Sequence, residues 1–331
     1  MQAQTRKRRN PLKIILRVFL IILCCLVAAL LITTVTNLIC TGMEKEKIEA
    51  YGQEVDLADG TMNVGIYGDG ENVIVLLPGM GIPSPVIEFS YLTELLSEKY
   101  TVVIPEPFGY GLSDITDSER TAHNKAVELH ECLAKLGYTS YTLMGHSLSG
   151  LTMLEYANVY PEEVEAVIAM DASVPKQISD SNSGSDSMLT LMNAVNLARV
   201  TGVLRVYSVF DKSIAGYIDS ALSDETAEQL RYIMRASFIN RNMIDEYICA
   251  VSADCPRMYD MKYPDEIPVL TFLAEDNVEY LSDWQPWHEE ISDNENSALI
   301  VLSGGHMVYR SHPEEIAEKA AEFIESNPKT R

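Results

Sequence analysis

The sequence predicts an α/β fold in which a mainly parallel sheet carries a helical insertion and follows one N-terminal transmembrane helix. From about residue 72 onward, short apolar strands alternate with helical patterns, and this alternation is typical of a parallel sheet covered on both faces. The alternation stops between residues 173 and 265, where helical patterns alone occur. We therefore predict one α/β domain at residues 45–331 with a lid-like insertion at about 173–265.

The transmembrane segment is predicted at residues 14–39, whose central part, residues 18–32, is wholly apolar. A bilayer core requires about 20 apolar residues in a helix. The basic cluster at residues 6–9 precedes this segment, so the positive-inside rule assigns the tail, residues 1–13, to the cytosol and the domain to the opposite side. A cleaved signal peptide is the alternative, but residues 36–39 offer no small-residue cleavage site.

Charge and cysteine content exclude several classes of function. The 331 residues carry a formal net charge of −23, and a body this acidic repels nucleic acid, so we expect no nucleic-acid partner. The six cysteines form no CxxC pair and show no metal-ligand spacing, so we expect no metal site. The sequence leaves open whether Cys249 and Cys255 form a disulfide.

The strongest chemical signal is the segment GHSLSG at residues 145–150, which follows a predicted strand and opens a predicted helix. This is the context of a nucleophile elbow, a tight turn that exposes a serine at the edge of a sheet. The usual pattern is G-x-S-x-G, and Ser149 occupies the last glycine position here. We predict Ser147 as the nucleophile; the alternative is a serine that only caps a helix.

A serine hydroxyl requires a base to accept its proton and an acid to orient that base. His306 is the best base candidate, because it follows the predicted final strand at the carboxyl edge of the sheet. Asp276, after the strand at residues 269–273, is the favoured acid, and the adjacent Glu275 is an alternative. Asp171, directly after the strand at residues 164–170, is a second candidate for the same role.

The developing oxyanion requires two hydrogen-bond donors. One is predicted to be the backbone N–H of Leu148, at the start of a helix, where the helix dipole also favours negative charge. The other is predicted to be the N–H of Met80, which lies between two glycines in the loop after the first buried strand.

With these motifs in place, the sequence resembles the α/β-hydrolase superfamily, specifically its lid-bearing, serine-nucleophile type. The resemblance rests on the PGMG loop at residues 78–81, the FGYGLSD loop at 108–114, the elbow around Ser147, Asp276 and the GGH loop at 304–306. It implies an eight-stranded sheet and no cofactor. Pro78, Glu106 and Ala274 depart from the usual His, Asp and Gly of this family.

Three functions compete. A membrane-anchored esterase that acts on small-molecule acyl substrates, lipophilic ones included, is favoured, since a serine nucleophile argues against the aspartate-dependent dehalogenases and epoxide hydrolases of this fold. A proline-type aminopeptidase would need insertion carboxylates to hold a substrate ammonium, and Asp245, Glu246 and Asp254 are the candidates. A non-catalytic binding protein that kept the fold is the third interpretation.

Overall fold

The computed structural model describes residues 11–180, 185–219 and 222–327. Its centre is one eight-stranded sheet with strand order β1-β2-β4-β3-β5-β6-β7-β8. Strands β1, β2 and β4 pair antiparallel, and the other neighbours pair parallel, so the predicted fold class is confirmed. The strands are β1 (Gln53–Leu57), β2 (Gly60–Tyr67), β3 (Val73–Leu77), β4 (Thr101–Pro105), β5 (Tyr141–His146), β6 (Val164–Met170), β7 (Val269–Ala274) and β8 (Ala298–Leu302).

Helices cover both faces of the sheet. Outside the segment between β6 and β7, they are α1 (Pro11–Lys45), α2 (Pro85–Glu88), α3 (Ser90–Leu96), α4 (Ala122–Leu136), α5 (Ser149–Val159), α12 (Glu275–Tyr280), α13 (Trp284–Ile291), α14 (Val308–Ser311) and α15 (Pro313–Ser326). A 3₁₀ turn (Pro161–Glu163) precedes β6.

The helices between β6 and β7 form a separate helical layer, which we call the helical insertion. They are α6 (Pro175–Asp180), α7 (Ser185–Val200), α8 (Val203–Phe210), α9 (Asp224–Ser237), α10 (Arg241–Cys249) and α11 (Cys255–Arg257), with a π-helical turn (Ala250–Asp254) before α11. They lie where the strand–helix alternation of the sequence stops. Cys249 and Cys255 are separate thiols.

The central strands are continuous apolar runs in the sequence because both of their faces are buried. On one face, Leu143 of β5 belongs to a cluster with Leu129 of α4 and Leu154 of α5. On the other face, Met144 belongs to a cluster with side chains of α3 and α15. The insertion has its own smaller core around Met234. This rigid sheet fixes the positions of the loops at its carboxyl edge.

Helix α1 is long and apolar enough to cross a membrane, with a mean hydropathy of 3.1 over its most apolar 18 residues. Those 18 residues are not buried against the rest of the chain. Near its end, however, Asn37 is only 7% exposed because it contacts the helical insertion. The helix therefore combines an uncovered apolar part with an end that belongs to the folded domain.

Candidate active site

Ser147 lies at a sharp turn between β5 and α5, in the left-handed region at φ +54°. A non-glycine residue seldom adopts this conformation, and such strain concentrates at functional sites. The turn depends on glycine at two places. A Cβ on Gly79 would lie 2.9 Å from Cβ of Ser147, and a Cβ on Gly145 would lie 2.5 Å from Oγ of Ser149. These close approaches explain the small residues around the elbow.

Two hydrogen bonds join three side chains that are distant in sequence. Nε2 of His306 lies 2.9 Å from Oγ of Ser147, and Nδ1 of His306 lies 2.6 Å from Oδ2 of Asp171. An ionised carboxylate only accepts hydrogen bonds, so Nδ1 carries the proton and Nε2 is left as an acceptor. The arrangement therefore provides a hydroxyl, a base directed at it and a carboxylate that sets the tautomer of the base.

Asp171 is completely buried, and its carboxylate is surrounded by donors. Besides His306, its oxygens accept hydrogen bonds from the backbone N–H of Ala274 at 3.0 Å, from Nε1 of Trp284 at 2.9 Å and from Nδ2 of Asn277 at 2.5 Å. Burial alone would raise the pKa of this carboxyl, but the hydrogen bonds, that of His306 first among them, outweigh burial and hold the pKa below its ordinary value. Asp171 is thus stable as a buried anion.

The prediction that Asp276 orients His306 is wrong. Helix α12 begins at Glu275, directly after β7, so Asp276 is in the first turn of a helix and its side chain is exposed. Its backbone N–H donates to the carbonyl of Gly304 at 3.1 Å. The end of β7 and the first turn of α12 instead contribute donors to Asp171, from Ala274 and Asn277. Sequence order could not separate the two candidates, because both aspartates lie between the serine and the histidine.

Comparison with known proteins supports the fold described above. A model of the α/β-hydrolase fold family matches residues 72–198, a span that includes the elbow at Ser147 and the carboxylate of Asp171. The chain has the α/β-hydrolase fold, and residues 72–198 are similar to that family. Two solved structures share this fold. They are ALR0039 from Nostoc sp PCC 7120 (TM-score 0.67, 20% identity, 82% of this chain and 97% of that one) and the epoxide hydrolase CorEH (TM-score 0.66, 20% identity, 83% and 98%).

Relatives in sequence include one protein similar along nearly the whole chain. YbdG of Bacillus subtilis is 27% identical over 95% of this chain and 99% of its own length. The mouse serine hydrolase BPHL is 30% identical over 44% of this chain and 52% of its own length. The 2-(acetamidomethylene)succinate hydrolase of Mesorhizobium japonicum is 30% identical over 36% and 42%. The last two similarities span about half of those relatives.

A cavity of about 360 Å³ lies directly over Ser147. It is open to solvent and is lined by the loop after β3, the elbow, the segment after β8 and the segment of the insertion that follows α8. Its lining residues are Met80, Ile82, His146, Ser147, Ala215, Gly216, Tyr217, His306, Met307 and Arg310. Met80 is thus beside Ser147, and Leu148 caps the N-terminus of α5. The roles of these two residues as oxyanion donors stay predictions.

Among the described residues, no group of three or more His, Cys, Asp or Glu side chains could hold a metal.

Two further residues position this cavity, and the sequence analysis did not identify either as a site residue. Nε2 of His146 lies 3.0 Å from the backbone carbonyl of His306, which fixes the loop that carries His306. Arg310 forms a two-pronged ion pair with Glu88 at 2.6 and 2.7 Å and donates to the carbonyl of Gly216 at 3.3 Å. Arg310 therefore ties the sheet layer to the part of the insertion that lines the cavity.

Glu106 holds the neighbouring loops together. It is completely buried and accepts hydrogen bonds from Nδ2 of Asn63, Oγ of Ser84 and the backbone N–H of Leu112. Burial raises the pKa of its carboxyl above the ordinary value, although these hydrogen bonds counteract the effect. Ser84 caps α2, just after the loop that contains Met80, so Glu106 helps to position the predicted oxyanion loop. This role accounts for a carboxylate at a position where the family usually has Asp.

The three insertion carboxylates proposed for binding a substrate ammonium are engaged in structural contacts. All of them face α4 or the residues just before it, and none lines the cavity over Ser147. The contacts are Asp245 with the backbone N–H of Arg120 (2.8 Å), Glu246 with Nζ of Lys125 (2.5 Å) and Asp254 with the backbone N–H of Ala122 (2.8 Å). They attach the insertion to the domain.

Two buried histidines predict how stability depends on pH. Burial lowers the pKa of His146 to about 3, with the neighbouring His306 adding to the effect, and burial lowers the pKa of His288 to about 4. The unfolded chain binds protons at these positions below about pH 6.5, whereas the folded chain does not, so the folded state loses stability as the pH falls. Between about pH 7 and about pH 5 we expect a loss of about 2 kcal/mol for each histidine.

Denaturant unfolding of the wild type and His288→Phe at both pH values will check this dependence. The wild type loses stability through both buried histidines, whereas the variant retains only His146. The part of the stability loss that comes from these histidines should therefore be about half as large in the variant between the two pH values. An identical loss in the two proteins would contradict the assignment of His288 as a neutral buried group.

Proposed function

We propose that this α/β hydrolase is a membrane-anchored serine hydrolase that cleaves carboxylic esters, or related acyl bonds, through an acyl-enzyme intermediate. The single observation that carries the proposal is the continuous hydrogen-bond chain from Ser147 through His306 to Asp171. An ordinary buried network would not also open into a cavity, whereas Ser147 and His306 both line one. Nucleophile, base and orienting acid are then available at the position where a substrate carbonyl can approach.

The proposed reaction begins when a substrate carbonyl enters the cavity above Ser147. Oγ of Ser147 attacks the carbonyl carbon while Nε2 of His306 accepts its proton, and Asp171 stabilises the resulting imidazolium. The backbone N–H groups of Leu148 and Met80 are proposed to donate to the oxyanion. His306 then returns the proton to the departing alcohol, and the same groups activate a water that releases the acid.

Esters are favoured over the aminopeptidase alternative because of what surrounds the cavity. A substrate ammonium requires carboxylates that can reach it, and Asp245, Glu246 and Asp254 are instead bonded to α4 and its N-terminal end. Much of the cavity lining is apolar and includes Met80, Ile82 and Met307. Such a surface suits the acyl part of an ester. The name of the mouse relative, a serine hydrolase, is consistent with the same choice of nucleophile.

Retention of α1 as an anchor is supported by its contacts with the domain. Asn37 Nδ2 donates to the carbonyl of Arg199 at 3.0 Å, and Arg205 forms an ion pair with Glu44 at 2.5 Å. Cleavage of α1 on the carboxyl side of Asn37 would remove this partner from the buried face of the insertion. We therefore propose a single-pass anchor with a cytosolic N-terminus and the domain on the other side.

Labelling with a fluorophosphonate, which reacts with activated serines, tests the proposed function. We expect the wild type to be labelled, the adduct to map to Ser147 and Ser147→Ala to lose the label. Ser149→Ala is the matched control, because Ser149 is two residues away but bonds to the carbonyl of His146 rather than to the base. A panel of p-nitrophenyl esters and aminoacyl arylamides then separates esterase from aminopeptidase. Absence of label on the folded wild type would favour a non-catalytic binding protein.

A further inference from the structure

We propose that the apolar outer face of α7 and α8 lies on the bilayer that α1 crosses, and that acyl substrates reach Ser147 from that membrane surface. The proposal rests on the proposed esterase function for its substrate class, but the membrane contact itself does not depend on activity. The face, which we call the α7–α8 face, consists of Leu197, Val200, Val203, Val206, Val209 and Phe210.

These six side chains are unusually exposed for their type. Phe210 is 84% exposed, Val209 is 73% exposed and Leu197 is 63% exposed, and the other three are about half exposed. They lie on two consecutive helices that meet at Gly202. Single exposed apolar residues are normal on a protein surface, but a contiguous group of this kind marks a contact with a partner protein or a membrane.

The contact between α1 and the insertion identifies the membrane as this partner. The apolar part of α1 from residue 14 to residue 35 is about 33 Å long, which matches the thickness of a bilayer core. Gly202 packs against the end of this part, because a Cβ there would lie 2.7 Å from the carbonyl of Thr33 and 2.8 Å from Cβ of Asn37. The corner between α7 and α8 is therefore at the depth where the apolar span ends.

A polar face of α1 fixes this depth. Asn37, Thr41 and Glu44 are spaced by four and three residues and so share one side of the helix. Arg205 of α8 donates to all three: to Oδ1 of Asn37 at 2.9 Å, to Oγ1 of Thr41 at 3.0 Å and to the carboxylate of Glu44 at 2.5 and 2.7 Å. Arg235 of α9 also contacts Glu44 at 3.0 Å. Helix α8 is thus attached to the segment that leaves the membrane and cannot move far from the surface.

The same helix leads directly to the active site. Gly216 and Tyr217 line the cavity over Ser147, and Gly216 is six positions after Phe210 in the chain. A chain of six residues spans at most about 20 Å, so the cavity lies within that distance of the membrane contact. An ester whose acyl chain is held in the bilayer is therefore the substrate class that this geometry favours. Because the face is apolar and the protein is strongly acidic, a neutral bilayer should suffice.

Tryptophan quenching in the full-length protein tests the contact. The protein is reconstituted into phosphatidylcholine vesicles that contain brominated lipids, and Val209→Trp is compared with Val159→Trp. Val159 is also exposed, but it ends α5, which runs back from the active-site edge of the sheet to the opposite edge. After subtraction of the wild-type signal, we expect quenching at position 209 and none at position 159. No quenching at position 209 would overturn the proposal, whatever the activity of the protein.

Hydrolysis of two esters tests the route of the substrate. A long-chain p-nitrophenyl ester is dissolved in the vesicles, and p-nitrophenyl acetate is supplied in water. The double substitution Val209→Asp and Phe210→Asp should lower turnover of the vesicle ester about tenfold, since two large apolar contacts are replaced by charges. Turnover of the acetate should not change, and Val159→Asp should affect neither ester.

The outcomes separate the two proposals. An equal loss on both esters, or no loss on the vesicle ester, would overturn delivery from the membrane. If the wild type hydrolyses neither ester and is not labelled at Ser147, the proposed function fails, while the quenching result still decides the membrane contact.

Discussion

Asp171→Asn is expected to lower kcat about 10⁴-fold, the loss that the same change causes in serine hydrolases with this arrangement. Oδ1 of Asp171 accepts from Ala274 and Trp284, so the amide oxygen of the variant will occupy that position. Its NH₂ group will then face Nδ1 of His306. Two donors cannot share a hydrogen bond, so the ring adopts the tautomer that carries its proton on Nε2 and can no longer accept the proton of Ser147.

Asp276→Asn is the matched control for this prediction. The change is chemically identical, and Asp276 lies in an exposed helix turn near the same loop. We expect its kcat to stay within about twofold of the wild type, as for most exposed substitutions. Steady-state kinetics on a p-nitrophenyl ester, with unfolding temperatures to show that both variants fold, will decide. Full activity in Asp171→Asn together with a large loss in Asp276→Asn would refute the assignment of Asp171.

Much of the site could be predicted because its signals are local. Ser147 follows a buried strand and precedes a helix, and this order of elements requires the tight turn that the structure contains. His306 likewise follows the last strand. The sheet itself was predictable from the alternation of apolar strands and helices. In each case a few neighbouring residues carry the information, so no tertiary contact had to be known in advance.

The choice between Asp171 and Asp276 could not be made from local signals. It depends on where α12 begins and on donors from Trp284 and Asn277, which are more than 100 residues from Asp171 in the chain. The contact of Asn37 with Arg205 joins residues that are even farther apart, 168 positions in the chain. In the sequence, polar residues at the end of an apolar helix indicate only where the helix ends. The structure shows that Asn37 contacts the helical insertion.

Glu246→Ala is expected to destabilise the folded domain by about 3–5 kcal/mol, the usual cost of breaking a buried ion pair from one side. Glu246 and Lys125 are 6% and 8% exposed, and their charged groups are 2.5 Å apart. The hydroxyl of Tyr110 also donates to Glu246. Removal of the carboxylate leaves the ammonium of Lys125 and the hydroxyl of Tyr110 buried without this acceptor.

Two controls distinguish this buried pair from an ordinary ion pair. Glu228→Ala breaks the ion pair of Glu228 with Arg231. Because the side chain of Glu228 is 43% exposed, this change should lower the free energy of unfolding by less than about 1 kcal/mol. The double substitution Lys125→Met and Glu246→Met removes both charges and should recover much of the lost stability, because apolar replacement of a buried pair is often neutral. Denaturant unfolding of the four proteins measures these differences. If Glu246→Ala were no more costly than Glu228→Ala, the pair would be solvated in the native state, and α10 would not be held against α4 by this contact. The argument that Glu246 is structurally engaged and unavailable to a substrate ammonium would then fail with it.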